Sequence, residues 1–132
     1  ENLGQDIEKV GMDIDSICPM VYPSHYANKA QNGQGQTING VKFTAPDLEP
    51  YKVVYNSLVK AKDRIAKVSN YKAKIRPYLQ DFTASWLTKG YYKKYTAEDV
   101  KEQIKAAHDA GYDEWILWDA QNKYSEDALS KK

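Results

Sequence analysis

The stretch DSICPMVY, residues Asp15–Tyr22, is the first of three short apolar runs that decide the fold. The second run is KIRPYLQDF, Lys74–Phe82, and the third is DEWILWDA, Asp113–Ala120. Each run is almost continuously apolar or aromatic, which is typical of parallel strands that are covered on both faces. The sequence therefore predicts three buried strands.

Two amphipathic segments separate these strands. In residues 47–68, apolar side chains recur at spacings of three and four, which predicts a long helix. In residues 96–111, Thr96 is a suitable N-cap with Asp99 as its capping-box partner, and Gly111 is a suitable end. Strands that alternate with helices predict right-handed βαβ units and a parallel sheet, so the fold class is α/β.

The composition excludes several classes of function. With 42% apolar and 28% charged residues the 132-residue chain is globular, and its net charge of +1 gives no reason to expect nucleic acid as a partner. No apolar stretch approaches the roughly 20 residues that span a bilayer. No group of His, Cys, Asp and Glu has metal-ligand spacing, and the glycines of residues 33–40 do not open a helix as in phosphate loops. We therefore expect no metal, no cofactor and no membrane span.

Two further segments carry expectations about organisation. The chain begins at Glu1, and Leu3, Ile7 and Val10 have helical spacing before Gly11. We expect the tail of a helix here, and thus an excised or processed piece of a longer protein. Residues 27–46 are rich in Gly, Asn and Gln, and so long a loop is either a binding loop or a disordered one.

Polar and aromatic side chains collect where the predicted strands end. Binding groups in parallel α/β folds gather at the carboxyl ends of strands. Aromatic rings beside amide, imidazole and carboxylate groups suit sugars, whose C–H faces pack on rings while their hydroxyls form hydrogen bonds. The predicted site residues come from all three strand ends: Tyr22, His25, Tyr26, Gln80, Asp81, Trp118, Asp119 and Asn122.

Several of these residues have a structural alternative. Asp81 is either a catalytic or substrate-orienting carboxylate or a structural turn residue, and His25 either binds ligand or is a structural histidine. Ser24 and His25 are not expected to form a nucleophile pair, because neighbours in sequence rarely present their side chains to each other. Strand alternation places Arg76 and Gln80 on one face, and these residues suit a barrel interior or cleft better than a surface under helices.

The motifs PMVYPSHY (residues 19–26) and RPYLQDF (76–82), together with residues 103–124, resemble the C-terminal part of a family of bacterial domains described as putative glycoside hydrolases. The resemblance runs from about Ile14 to Leu129. It implies about three parallel βα units of a (β/α)8 TIM-type barrel, strands six to eight, with residues 1–132 as a partial barrel domain that lacks its upstream half. Two departures from the family are Tyr78, where members often carry Trp, and Asp119, where they often carry Asn.

The resemblance implies hydrolysis of O-glycosidic bonds in a polysaccharide. In that role Asp81 is the carboxylate, Gln80 and His25 form hydrogen bonds, and aromatic side chains hold the sugar. The chitinase-type barrels are similar in placing a Met-x-Tyr pair and a Trp at the sugar site, as Met20 to Tyr22 and Trp118 would do. Because the expected strand-four acidic motif is not in this chain, we expect the chain alone to be inactive.

Two alternatives stay open at this stage. One is a non-catalytic carbohydrate-binding barrel, and the other is a purely structural interaction domain. The expected partner is carbohydrate, and the expected location is extracellular or the cell envelope. Three strands of an opened barrel also leave two sheet edges and an apolar face uncovered, so we expect the chain to self-associate.

Overall fold

The structure, a computed structural model, describes residues 6–129. Its helices and strands, in chain order, are α1 Ile7–Val10, β1 Ser16–Ile17, α2 Lys29–Asn32, β2 Gln36–Ile38, β3 Val41–Phe43, α3 Pro50–Ile65, β4 Lys74–Ile75, β5 Tyr78–Gln80, α4 Ala97–Asp109 and β6 Ile116–Trp118. Short 3₁₀ turns lie at Pro23–His25, Pro46–Leu48 and Glu126–Ala128. The fold is mixed α/β with short parallel strands, and among residues 6–129 no helix is long and apolar enough to cross a membrane.

The three predicted strands lie side by side as two short parallel pairs joined by one isolated bridge, and we call this arrangement the parallel ladder. β1 pairs with β4, and β5 pairs with β6, both in parallel register. Between these pairs, Met20 bridges to Tyr78. The Tyr78 N–H donates to the Pro19 carbonyl at 2.9 Å, and the Val21 N–H donates to the Tyr78 carbonyl at 3.2 Å. The first, second and third apolar runs therefore lie side by side in chain order.

Two prolines make the regular strands shorter than the sequence predicts. Pro19 and Pro77 have no N–H to donate, so each removes one ladder hydrogen bond from its own strand. Their carbonyls still accept hydrogen bonds. The Tyr78 N–H donates to the Pro19 carbonyl, and the Ile116 N–H donates to the Pro77 carbonyl at 2.9 Å. The runs stay extended and paired through the prolines, but regular strand geometry is confined to the segments on either side.

α3 and α4 pack together on one side of the parallel ladder. The buried core between helices and ladder consists of Val21, Val54, Leu58, Leu79, Ala106, Ala107 and Ala110. The capping box predicted for α4 is confirmed, because the Thr96 N–H donates to the Asp99 carboxylate at 2.9 Å. Gly111 follows the helix with a φ of +88°, a left-handed conformation that favours glycine.

The first helix is short and is attached to α3. α1 ends at Gly11 as predicted, whereas Leu3 lies outside the described residues. A Cβ atom at Gly11 would lie 2.0 Å from the Tyr71 ring, so glycine is needed for this close approach. Glu8 of α1 accepts two hydrogen bonds of 2.6 Å from the Arg64 guanidinium, and this lowers the pKa of Glu8 to about 2.

Residues 27–46 are folded, so the disordered alternative for this segment is not observed. They contain α2 and an antiparallel hairpin of β2 and β3. The hairpin turns at Asn39 and Gly40, both with positive φ, as two-residue hairpin turns of this type require. Ile38 and Phe43 of the hairpin form a second small core with Val53. A binding role for this segment stays a prediction.

Candidate functional site

The parallel ladder has two different faces. Val21 and Leu79 belong to the core under the helices, with 5% and 0% of their surface exposed. Because side chains alternate along a strand, Met20, Tyr78 and Trp118 lie on the other side, which we call the open face. Met20 is 67% exposed and Trp118 is 45% exposed. The Tyr78 and Trp118 rings contact each other edge to face, with centroids 6.3 Å apart.

A group of four rings lies at the carboxyl ends of the first two strands, and we call it the aromatic cluster: Tyr22, His25, Phe82 and Trp86. Tyr22 lies edge to face against His25 at 5.1 Å and against Phe82 at 5.5 Å. Trp86 stacks on Phe82 at 5.8 Å. The cluster thus combines exposed rings with buried ones at the edge where the sequence predicts a binding site.

Tyr22 connects the aromatic cluster to the open face. It is only 4% exposed, and burial raises its pKa to about 12, with smaller contributions from the nearby hydroxyls of Tyr78 and Tyr124. A neutral phenol at this position donates and accepts hydrogen bonds without introducing charge. Tyr22 thus contacts rings of the aromatic cluster, and its hydroxyl lies near enough to that of Tyr78 on the open face to interact electrostatically.

Ser24 and His25 do interact, contrary to the expectation from their adjacency. The 3₁₀ turn over Pro23–His25 brings the Ser24 Oγ to 3.1 Å from the His25 Nδ1. Ser24 is itself buried, and its N–H donates to the Gln80 side chain at 3.0 Å. The imidazole is exposed, and its Nε2 has no hydrogen bond to any of residues 6–129. The bond fixes the ring orientation, and no carboxylate completes a catalytic triad within that range.

Gln80 lies in a buried polar network and has no exposed surface. Its Oε1 accepts from Ser24, and its Nε2 donates to Asp47 Oδ1 at 2.9 Å and to the Phe82 carbonyl at 3.1 Å. The Gln103 side chain bonds both the N–H and the carbonyl of Gln80, at 2.9 and 2.8 Å. This network fixes the carboxyl end of β5, and the hydrogen-bonding groups of the Gln80 side chain are paired with other residues of the chain.

Asp47 is a buried carboxylate that the sequence analysis did not single out. It is 1% exposed, and burial raises its pKa, partly offset by hydrogen bonds from Gln80, Lys93 and Tyr95. The Tyr95 hydroxyl donates to the Asp47 carbonyl at 3.2 Å, and the Lys93 N–H donates to its carboxylate at 3.2 Å. Asp47 therefore links the turn before α3 to the segment that precedes α4.

Asp81 lies at the carboxyl end of β5 with 7% of its surface exposed. One carboxylate oxygen accepts from the Ser125 N–H and the other from the Ser125 hydroxyl, both at 2.7 Å. Its own N–H donates to the Trp118 carbonyl at 3.0 Å. The side chain thus fixes the segment after β6, and each oxygen retains a second lone pair for another donor.

Asp119 and Asn122 form a turn directly after β6. Asp119 is 7% exposed, and its carboxylate accepts from the Gln121 and Lys123 N–H groups at 3.2 and 2.9 Å. Asn122 has a φ of +56° and donates its N–H to the Asp119 carbonyl at 3.1 Å. Asp119 therefore closes the turn, and Trp118 is the exposed member of this strand end.

Tyr26 lies apart from the aromatic cluster. Its hydroxyl is 2.7 Å from the Ser57 Oγ of α3, and its ring packs against the small core of the hairpin. It borders a groove of about 700 Å³, lined by residues of α1, β1, β2 and α3 with Met20 at the same border. The groove runs along β1, which has a pairing partner on one side only among the described strands.

The structure places Tyr22 and His25 in ring contact and pairs the Asp81 N–H with the Trp118 carbonyl, whereas Tyr26 lies apart at the groove. It adds Phe82 and Trp86, which the sequence analysis missed although Phe82 is the last residue of the second predicted strand. Within residues 6–129 no group of His, Cys, Asp and Glu is arranged to hold a metal ion.

A family model described as a putative glycosyl hydrolase domain matches residues 1–124 of the chain. The chain belongs to this family. The resemblance noted in the sequence is therefore confirmed, and a glycoside hydrolase-like domain is the setting of the aromatic cluster and the open face. Comparisons with curated proteins and with solved structures gave no match.

Proposed function

We propose that this chain forms the sugar-binding wall of a barrel that hydrolyses O-glycosidic bonds in a polysaccharide. The observation that carries the proposal is the exposed Trp118 ring, held edge to face by Tyr78 on the face of the ladder opposite the helices. An indole held in this way offers a flat apolar surface to the C–H face of a sugar ring. Membership of the glycosyl hydrolase family supports carbohydrate as the ligand of this surface.

The fold part of the proposal is a (β/α)8 barrel of which residues 1–132 supply about three βα units, strands six to eight. Parallel strands in chain order, with helices on one face, are the pattern of such barrels. The exposed Met20 and Trp118 would then face the barrel interior. A preceding βα unit of the same barrel would pair with the free edge of β1 and fill the groove between β1 and α3.

Asp81 is the proposed catalytic or substrate-orienting carboxylate of this wall. It lies at a strand end, at the edge where barrel enzymes hold their catalytic groups. Ser125 orients both of its oxygens and leaves lone pairs available for a substrate hydroxyl. His25, Gln80, Asp119 and Asn122 would support this edge, Gln80 and Asp119 through the hydrogen bonds that shape it. A second carboxylate, as most glycosidases require, would come from another part of the barrel.

A non-catalytic carbohydrate-binding barrel is the second candidate. The specific observation in its favour is that Asp81 and Asp119 are both buried and both accept hydrogen bonds from their own chain. In that case the aromatic surface binds sugar and no carboxylate takes part in chemistry. For both candidates we propose an extracellular or cell-envelope location.

The experiment that separates the two candidates is release of reducing sugar from a panel of polysaccharides by the longer protein that this proposal requires. Asp81→Asn is compared with Asp113→Asn, an exposed aspartate at the opposite end of β6. Loss of activity for Asp81→Asn alone, with an unchanged circular dichroism spectrum, would support the hydrolase. If neither the wild-type protein nor its variants release sugar, but the wild-type protein binds polysaccharide and Trp118→Ala abolishes this binding, the binding barrel is supported. We expect the isolated chain to release no sugar.

The open face also predicts that the isolated chain self-associates through its uncovered surface. Light scattering should show a species larger than the 15.1 kDa monomer. Met20→Glu would place a charge on the open face and should shift the distribution toward monomer. A wild-type chain that is strictly monomeric at high concentration would contradict this part of the proposal.

A further inference from the structure

Trp86 is an exposed tryptophan in a loop that is otherwise fixed. It lies between β5 and α4, and 64% of its surface is exposed. Its neighbours Ala84 and Leu87 are buried, and the Tyr95 N–H donates to the Thr83 Oγ1 at 3.0 Å, which ties the two ends of the loop together. The exposure of Trp86 is therefore a property of an anchored loop rather than of a loose segment.

One side of the Trp86 indole is supported by a second ring. The Phe82 and Trp86 rings stack with centroids 5.8 Å apart and an angle of 26° between their planes. Phe82 is in turn fixed by Tyr22, which is almost fully buried. A stack with an interior ring at its base holds the outer ring in a set orientation, so ordering Trp86 would cost a ligand little entropy.

A hydrogen-bonding group lies next to this stack. The His25 ring is 6.4 Å from Phe82, and its Nδ1 is paired with the Ser24 hydroxyl. The His25 side chain is exposed, which leaves Nε2 to bond a ligand beside the stack, as donor or acceptor according to the tautomer. The His25 imidazole, with the Ser24 hydroxyl behind it, suits the hydroxyl groups of a neutral ligand.

We propose that Trp86 and His25 form a second sugar subsite, which takes one pyranose unit of a neutral, gluco-configured polysaccharide chain. This inference rests on the proposed function, because it assumes that Trp118 holds a neighbouring part of the same chain. Gluco-configured rings carry their substituents equatorially and present a flat C–H face to the indole, while a ring hydroxyl bonds His25 Nε2. The subsite adds the β5–α4 loop to the binding surface that the proposed function places at Trp118.

The test is calorimetric binding of cellobiose and cellohexaose, and of the matching chito-oligosaccharides, to the full chain. The wild-type chain should bind the hexasaccharide more tightly than the disaccharide. Trp86→Ala should weaken hexasaccharide binding about three- to tenfold, as expected for loss of one ring contact, and leave disaccharide binding unchanged. Trp86→Phe should restore part of the loss. Trp118→Ala should weaken binding of both ligands.

The outcomes separate this inference from the proposed function. If Trp118→Ala abolishes binding but Trp86→Ala has no effect on either ligand, the second subsite is wrong and the proposed function stands. If the wild-type chain binds none of these sugars, the second subsite is overturned, and the proposed function falls with it only if the longer protein also neither binds nor cleaves any polysaccharide of the panel. If Trp86→Ala changes the oligomeric state instead of hexasaccharide affinity, Trp86 is a protein contact and the inference is overturned. Val41→Ala, an exposed apolar change on the hairpin, is the matched control and should leave binding unchanged.

Discussion

The two faces of the parallel ladder differ in what covers them. On the helix side, Leu79 has no exposed surface and packs with residues of α3 and α4. On the open face, Met20 and Trp118 keep 67% and 45% of their surface exposed. Both sets of side chains are apolar and come from the same strands. The difference therefore arises from the presence or absence of a covering element, not from residue type.

This comparison separates stability from function. Burial of apolar surface is the main favourable term in folding, so the helix side supplies the stability of the described fold. The open face contributes little of this energy and leaves its aromatic rings available to a ligand or to the rest of a barrel. A substitution on the helix side should therefore change the free energy of unfolding, whereas a substitution on the open face should change ligand binding or assembly.

The strongest test of the comparison is truncation of one residue on each face. Leu79→Ala should lower the free energy of unfolding by about 2–5 kcal/mol, because it removes buried methyl groups and leaves a cavity. Met20→Ala on the open face should change it by no more than about 0.5 kcal/mol. Urea unfolding followed by circular dichroism measures both, at a protein concentration low enough for light scattering to show only monomer. Equal losses would mean that the open face is covered in solution.

A second prediction concerns the polar network that joins the helix side to the site. Gln103→Met keeps the side-chain size but leaves the buried N–H and carbonyl of Gln80 without the amide that bonds them. We expect a loss of about 1–3 kcal/mol in unfolding free energy. Glu102→Met, on the exposed side of the same helix, is the control and should change little. A neutral Gln103→Met would show that the network is not needed for folding.

The smallest expected effect lies in α1, which borders the groove beside the open face. The Arg64 guanidinium lowers the pKa of Glu8 from its usual 4.5 to about 2. A lowered pKa in the folded state contributes stability above pH 4.5, and the contribution is lost as the pH falls through about 2. Glu8→Gln should therefore have a slightly lower unfolding midpoint than wild type above pH 4.5, and the difference should vanish near pH 2. A difference that persists at low pH would contradict this assignment.

Sequence patterns predicted the order of elements well, because apolar runs and helix caps are local signals. All three apolar runs are paired in parallel, and α4 begins at its predicted N-cap Thr96, while Gly111 follows one residue after the C-cap Ala110. Strand lengths were overestimated because Pro19 and Pro77 remove ladder hydrogen bonds inside otherwise apolar runs. The length of α3 was also overestimated, since the helix ends at Ile65 rather than at Val68.

The hairpin in residues 27–46 was missed although its signal is present. Asn39-Gly40 between Thr37-Ile38 and Val41-Lys42 is a typical two-residue hairpin turn. The abundance of Gly, Asn and Gln around it obscured this short alternation. Because the hairpin was not anticipated, the position of Tyr26 against its small core could not be deduced from the sequence.

The candidate site was predictable in part for the same physical reason. Strand ends can be located from local patterns, and this placed Tyr22, Asp81 and Trp118 at one edge. Contacts between loops cannot be read in this way, because no periodicity relates them. Stacking of Trp86 on Phe82 and the bond between Ser24 and His25 depend on turn geometry, which only the structure provides.

The central claim is that the exposed rings at the carboxyl ends of the parallel strands bind sugar. Hydroxyl-radical footprinting with and without cellohexaose tests this claim most directly. The three tryptophans of the chain provide the comparison, since Trp86 and Trp118 are exposed whereas Trp115 packs against the core. We predict that cellohexaose reduces oxidation of Trp86 and Trp118 and leaves Trp115 unchanged. Unaltered oxidation of all three at saturating sugar would contradict the account.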